Sequence, residues 1–331
     1  FTVNLPAGSA GDIVAFKDYL NTFDTGALTV APNGTDKIGG INADAAFSTE
    51  SQSVTLIFTD SVRGWLDIHD STTAATGNDK IVATGGVITT SGNDTIHTFT
   101  GPGTFCVSQA AACASNNVVS YIVVAGGGGG GGNDGGGGGG AGGFREDKSP
   151  VTPYTASPLD GAGAITVSAT GFPITVGGGG TGGPPSGPAG GSGSPSIFST
   201  ITSAGGGGGA GSPTSATVGV AGGSGGGAGG RTNQAGGSGN TPPVSPAQGF
   251  DGGRNAPGGS PSSIDAGGGG GGASAVGGTA TNNNGGPGGN GVTTEITGTP
   301  TAYAGGGGGG SEAQNAKPGG TGGGGASGNP G

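Results

Sequence analysis

Two histidines, two cysteines and three Gly-Asn-Asp triplets are the groups in this 331-residue chain whose types could support chemistry. His69 stands beside Asp70, yet general acid–base work needs positioned partners. No Ser, Cys or Glu constellation accompanies His69 or His97, so both read as structural or surface residues. Six residues separate Cys106 from Cys113. Two thiols make a poor metal site, because structural zinc takes about four ligands. In an oxidising compartment the pair is expected to close a small local disulfide, with two free loop thiols as the alternative. The triplets at 77–79, 92–94 and 132–134 suggest calcium loops, but they lack the even spacing of a calcium-binding β-roll. Turn chemistry is the better account of them. Matches to G-x-G-x-x-G recur through composition alone, and no Gly-Lys-Ser or Gly-Lys-Thr follows any of them, which removes the P-loop reading. No catalytic, cofactor-binding or metal-binding set emerges, and the expectation is a protein that is not an enzyme and needs no cofactor.

The elements that would hold such groups are set by an unusual composition. Glycine supplies 91 residues, charged residues are 8%, aromatics 5%, and Met is absent. Average Gly usage is about 7%. Hydrophobic content of 30% is low for an enzyme-sized core. A collagen needs Gly at every third position, and the runs Gly126–Gly132 and Gly135–Gly140 break that period. No stretch of about 20 apolar residues is present to span a bilayer. Nine basic residues against 19 acidic ones leave no basic footprint for nucleic acid. Composition therefore points to a structural or adhesive protein, with neither nucleic acid nor membrane insertion among its expected partners. The chain begins at Phe1 within a strand-like pattern and stops at Gly331 within a glycine-rich one, and it reads as a piece of a longer protein.

Glycine divides the chain, with 13 of the 91 in residues 1–125 and 78 in residues 126–331. Residues 1–70 read as a small β-module. Phe1–Leu5 alternates apolar and polar side chains, and 12–16, 27–30, 54–58 and 64–68 give similar short runs between turn signals such as Pro32-Asn33-Gly34. So small a module is near the lower limit for a self-sufficient core and would gain from packing against copies of itself. Residues 71–80 are small and polar and read as a linker. Residues 81–125 give a second β-module, with runs at 81–83, 86–89, 95–100, 104–107 and 118–124. The last run, VVSYIVV, is apolar on both faces and should be covered on both. It leads straight into Gly126 and so anchors the glycine-rich region to a β-scaffold.

For residues 126–331 two physical states compete. Gly/Ser-rich chain can remain a flexible coil. Alternatively, runs of Gly can form extended threefold helices of the polyproline II type, called polyglycine II. These have three residues per turn and about 3.1 Å rise per residue, and their N–H and C=O groups point outward. Without Cβ atoms such rods can approach until they bond to one another, which meets the backbone's pairing requirement without helix or sheet. Sequence texture favours order. Long Gly runs start at 126, 135, 177, 205, 267 and 305, and they alternate with segments that are not low-complexity: 144–160, 164–176, 196–203, 231–251, 292–303 and 311–318. Segment 164–176 reads as a β-hairpin turning at Ala169-Thr170-Gly171. The expected fold is all-β N-terminal modules followed by a polyglycine II bundle with exposed loops, and essentially no α-helix.

Three blocks carry a resemblance: 98–105 (TFTGPGTF), 119–125 (VSYIVVA) with the Gly run after it, and 139–145 (GGAGGFR). Ile174-Thr175-Val176, Ile201-Thr202-Ser203-Ala204 and Ala302-Tyr303-Ala304, each before a Gly run, fit the same pattern. Together they resemble the glycine-rich tail-fibre and distal-adhesin domains of tailed bacteriophages. Phe1–Pro6, Val54–Phe58 and Gly64-Trp65 resemble a small β-module common in phage fibre proteins. The resemblance implies a fibre, usually trimeric, joined to other virion tail or fibre proteins, located on the virion outside the cell and meeting a host cell-surface receptor, protein or glycan, through loops at the bundle's ends. The long β-rich N-terminal part departs from the T-even-type adhesins, and the apolar strand that closes the family after its last Gly block is missing. In that setting the acceptor patterns at Asn33 and Asn93 are accidental. Receptor contact would fall to the few large side chains outside the rods: Phe144, Arg145, Tyr154, Arg231, Asn233, Phe250, Arg254, Tyr303 and Glu312. Phe144, Phe250 and Tyr303 read equally as packing plugs at rod ends, and Trp65 reads as core. A purely structural filament or stalk subunit is the alternative function, and an ice-binding protein a remote one.

Overall fold

The computed structural model describes residues 1–70, 80–111, 113–185, 187–212, 218–230, 233–256, 265–281, 284–312 and 317–327. The linker expected at 71–80 falls outside them except for Lys80, as does the triplet at 77–79. The described chain is nearly all β, and one 3-10 turn, Ala114–Asn117, is its helical content. It forms two compact units. The first comprises residues 1–83, 107–118 and 166–170, and the second 84–106, 119–165 and 171–331. The segment 81–125 is thus shared between the units.

In the first unit, β1 (Thr2–Asn4), β3 (Leu28–Ala31) and β4 (Ala45–Phe47) form one sheet, with β2 (Ile13–Lys17), β5 (Ser53–Asp60) and β6 (Gly64–Asp70) in an antiparallel second sheet. Period-two alternation along β5 buries Val54, Leu56 and Phe58. They meet Leu28, Val30, Phe47 and Trp65 in one core. Trp65 is fully buried and sits edge-on to Phe58, with ring centroids 5.5 Å apart. Its strand starts at Gly64, where φ is +70° and a Cβ would stand 2.0 Å from the Lys37 carbonyl oxygen, so only glycine fits. The buried Asp18 carboxylate closes the following turn by accepting the N–H groups of Thr22, Phe23 and Ser51.

The strands continue with β7 (Val82–Thr84), β8 (Val87–Ser91), β9 (Asp94–Thr98), β10 (Gly103–Gln109), β11 (Val118–Val119), β12 (Tyr121–Val124), β13 (Phe144–Asp147), β14 (Ile165–Thr166), β15 (Gly171–Thr175), β16 (Ser196–Phe198), β17 (Ile201–Ser203), β18 (Val292–Thr294) and β19 (Thr301–Tyr303). In the second unit β8 and β9 make a hairpin whose two-residue turn is Gly92-Asn93, with Gly92 at φ +58°. The triplet at 92–94 is a turn, as its chemistry suggests. The hairpin expected over 164–176 does not form. Instead β15 pairs antiparallel with β10 and with β16, and its Phe172 packs against Phe105 and Phe198 of these neighbours. Phe105, Phe172, Phe198 and Tyr121 form a cluster with centroids 5.7–6.4 Å apart, and His97 joins it edge-on to Phe105 at 5.0 Å. His97 Nδ1 lies 2.8 Å from the Gly85 carbonyl oxygen, a structural placement for that ring. The His69 side chain lies outside the described residues.

The glycine runs lie beyond the strands, in neither helix nor sheet, yet their backbone groups are paired. The pairing has a period of three. Gly126, Gly129 and Gly132 donate to the carbonyls of Ser194, Gly191 and Pro188, while their own carbonyls accept from Gly206, Gly209 and Ser212. Gly128 and Gly131 donate to Gly140 and Gly137, and the carbonyls of Gly127 and Gly130 accept from Gly180 and Gly183. A strand would repeat every two residues. Segment 135–143 bonds in the same way to 126–131, 204–210, 224–230, 268–271 and 307–310, so it runs through the middle of this body. Close approach explains the composition: a Cβ at Gly137, Gly138 or Gly139 would stand 2.0–2.1 Å from the carbonyl oxygens of Gly227, Gly307 and Gly128. The tolerated side chains are small. Ala210, Ala228, Ala266 and Ala273 are fully buried.

Ser224 is the exception to this economy. It is fully buried, and among the described residues its hydroxyl has no hydrogen-bond partner. An unsatisfied buried hydroxyl costs about 1–3 kcal/mol. Ser224→Ala keeps the Cβ and removes that cost, and it is expected to stabilise the unit by about 1 kcal/mol, a rise in Tm of roughly 2–4 °C by calorimetry. A lowered Tm would show that the hydroxyl has a partner after all.

Candidate functional site

Segment 135–143 gives the glycine-rich unit two ends. It starts beside Gly230 and Gly310, which donate to the carbonyls of Gly135 and Gly136. It finishes where Gly143 donates to Ala204 and accepts from Ala125. The residues expected to meet a receptor divide between these ends.

At the starting end Asn233 and Arg254 come together: both are exposed, and the Arg254 guanidinium donates to the Asn233 carbonyl at 3.2 Å. Asn233 has φ +54°, in the left-handed region that Asn tolerates. The buried Asn255 amide, bonded to Gly229 at 2.9 Å, pins this corner. Glu312 is exposed nearby, and its carboxylate accepts the Asp265 N–H at 3.2 Å, while Asp265 in turn accepts from Ser212 at 3.1 Å. Arg231 lies outside the described residues.

At the finishing end the structure removes two candidates. Phe144 is 1% exposed, packed with Ala141, Ala273, Val292 and Ala304. Arg145 is 6% exposed. Its guanidinium donates to the carbonyls of Pro246 at 2.9 Å, Ala162 at 3.1 Å and Ser245 at 3.2 Å. Neither is placed to touch a receptor: Phe144 is a plug, and Arg145 is a clamp for three loop carbonyls, its pKa lowered by burial. Tyr303 is half-buried against the same core, and Phe250 is 37% exposed, with its backbone N–H bonded to Gly272.

Two buried polar residues that sequence reasoning missed hold these loops. Glu146 is fully buried beside Arg145 in β13. Its carboxylate accepts from the Tyr154 hydroxyl at 3.2 Å, the Thr294 hydroxyl at 2.6 Å and the Ser157 N–H at 3.0 Å, and so ties loop 148–160 to β18. Gln248, 1% exposed, donates to the Pro242 carbonyl and accepts from the Ala204 N–H, each at 2.8 Å. Burial pushes the Tyr154 hydroxyl above the usual phenol range, helped by the Glu146 charge. The Lys148 ammonium lies over the Tyr154 ring, 5.6 Å from its centroid. Tyr154 also borders an open groove of about 520 Å³, walled by the β8–β9 turn, by Val151 and Pro153, and by the β18–β19 turn with Glu295 and Ile296.

Neither cysteine belongs to this site, and the expected disulfide is absent, since both thiols are free and exposed. Strand β10 explains this. Cys106 is held opposite Gly171 in its ladder, and the chain after it stays extended in the strand as far as Gln109. Cys113 caps the 3-10 turn, with its Sγ 3.1 Å from the Ser115 hydroxyl. That hydroxyl, with the backbone N–H groups of Ser115 and Asn116, lowers the Cys113 pKa. Iodoacetamide without reductant is therefore expected to label both cysteines of the folded protein, Cys113 the faster near neutral pH, because the thiolate is the nucleophile. An unlabelled, oxidised chain by mass spectrometry would contradict it.

Among the described residues no group of three or more His, Cys, Asp or Glu side chains could hold a metal ion, and no helix is long and apolar enough to cross a membrane. What the fold and loops define is an all-β protein whose C-terminal part is a body of closely packed glycine segments that displays its connecting loops. The family model described as a glycine-rich domain matches residues 98–331, and the chain belongs to that family. No curated protein and no solved structure matches the chain.

Proposed function

We propose that residues 126–331 form a polyglycine II bundle and that the chain is a tail-fibre protein of a tailed bacteriophage, carrying its receptor-binding loops at the bundle ends. One observation carries this reading: the period-three pairing of glycine segments with several neighbours at once. That is the pattern expected of threefold rods whose N–H and C=O groups point outward. The rods are stiff because no side chain separates them, and a stiff body can hold variable loops in fixed positions. After the burial of Phe144 and Arg145, the candidates left exposed are Asn233 with Arg254, Glu312 and Phe250, and Tyr154 and Tyr303 are half-buried. The protein acts by adhesion, changes no covalent bond in its target, and works as a homotrimer on the virion, outside the cell.

The test is adsorption competition. Purified protein is expected to bind the surface of the host cell and to slow adsorption of particles that carry this chain. Absence of both effects would leave the filament reading, which assembly into open filaments rather than closed trimers would then support.

A further inference from the structure

We propose that the groove beside Tyr154 is a receptor subsite for a lysine or arginine side chain of a polypeptide, a proposal that rests on the receptor-binding reading above. Three separate segments of the glycine-rich unit build it. The β8–β9 turn contributes Asn93 and Asp94, loop 148–160 contributes Val151 and Tyr154, and the β18–β19 turn contributes Glu295 and Ile296. The walls abut closely: a Cβ at Gly298, where φ is +88°, would stand 2.6 Å from the Ser91 hydroxyl. Glu295 is fixed on its loop, because its N–H donates to the Thr155 carbonyl at 3.0 Å and its carboxylate accepts the Thr155 N–H at 3.3 Å.

The lining selects its occupant. Two carboxylates, Asp94 and Glu295, stand among aliphatic side chains, and no Lys, Arg or His belongs to the lining. An aliphatic stem ending in a cation is complementary to such a surface, and this is the form of a lysine or arginine side chain. A saccharide would want an aromatic face to stack on. Tyr154 is the aromatic residue of the lining, and its ring already carries the Lys148 ammonium. The chain's net charge of −10 draws a basic partner in at long range.

The experiment titrates the whole chain with a blocked alanine pentapeptide carrying one central lysine, followed through the amide signals of Gly92 and Gly298. A saturable shift in the millimolar range is expected, with binding at least about fivefold weaker for the Nε-acetyl-lysine peptide and for the Asp94→Asn and Glu295→Gln variants, and weaker still in high salt. Asp94→Asn is nearly isosteric and lies at an exposed hairpin turn, so it tests the groove even if Glu295→Gln disturbs its loop. No saturable shift, equal binding of the acetylated peptide, indifference to Asp94→Asn, or tighter binding of glucosamine or glucose would each overturn the assignment. If the peptide fails to bind while the protein still blocks adsorption, the groove assignment falls alone. If the peptide binds while the protein neither binds the host cell nor slows adsorption, the receptor-binding reading falls instead.

Discussion

Replacing Gly138 with alanine is expected to destabilise the glycine-rich unit by about 3 kcal/mol, a fall in Tm of roughly 6–12 °C, although the change adds one methyl group. A Cβ at that position would stand 2.1 Å from the Gly307 carbonyl oxygen and 2.8 Å from the Gly270 nitrogen. Both neighbours are backbone held by bonds of their own, since Gly307 donates to Gly139 and accepts from Gly270. They cannot rotate aside as a side chain could, so the segment must shift and break bonds on several sides. The proper control sits within another glycine run. At Gly177 a Cβ would meet the Ser194 carbonyl oxygen at 2.0 Å, whereas at Gly178, the next residue, nothing lies within 4 Å. Gly178→Ala is therefore expected to be neutral or to stabilise by about 0.5 kcal/mol, through the lower entropy of the unfolded chain, while Gly177→Ala destabilises. Thermal unfolding of the pair separates packing from composition. A disordered glycine-rich chain would treat neighbouring positions alike.

The second large effect is expected at Glu146. Glu146→Ala removes one buried acceptor and leaves the Tyr154 hydroxyl, the Thr294 hydroxyl and the Ser157 N–H without their partner. The loss is expected to reach about 3 kcal/mol, because each stranded buried donor costs about 1–3 kcal/mol and hydroxyls can partly recover by rotation. The damage should be local. Loop 148–160 and the β18–β19 hairpin should lose amide protection by hydrogen exchange, while the middle of segment 135–143 keeps it. Glu146→Gln should do less harm, since an amide oxygen still accepts. Unchanged protection of residues 148–160 in Glu146→Ala would show that the carboxylate does not hold the loop.

Five of the six strands in residues 1–70 were legible as short apolar or β-branched runs between turn signals. The sixth, β4, is Ala45-Ala46-Phe47, which contains no β-branched residue and gives no such signal. The hairpin expected over 164–176 failed for a different reason: local turn chemistry at 169–171 lost to tertiary pairing of β15 with β10 and β16. Within the glycine runs the register could not be read at all, since identical residues carry no record of which neighbour they face. The buried alanines at 210, 228, 266 and 273 mark where a little more space exists, but only the packed structure shows this. The site was legible in part. Tyr154, Asn233, Arg254 and Glu312 were picked out because large or polar residues stand out against glycine, and the last three are exposed in the structure. The same contrast misled at Arg145, where charge suggested solvent and three loop carbonyls provide burial instead. Glu146, Gln248 and the groove carboxylates Asp94 and Glu295 gave no signal, because their placement depends on loops that are far apart in sequence and meet only in the folded unit.

The proposed bundle requires that the glycine runs be ordered and bonded to one another through the backbone. Residue-resolved amide hydrogen exchange across 126–143 and 205–210 tests it most directly. Donors such as Gly128, Gly131, Gly137, Gly140, Gly206 and Gly209 have carbonyl partners at 2.8–2.9 Å and are expected to exchange orders of magnitude more slowly than free peptide. Exchange at the free-peptide rate throughout these segments would contradict the account.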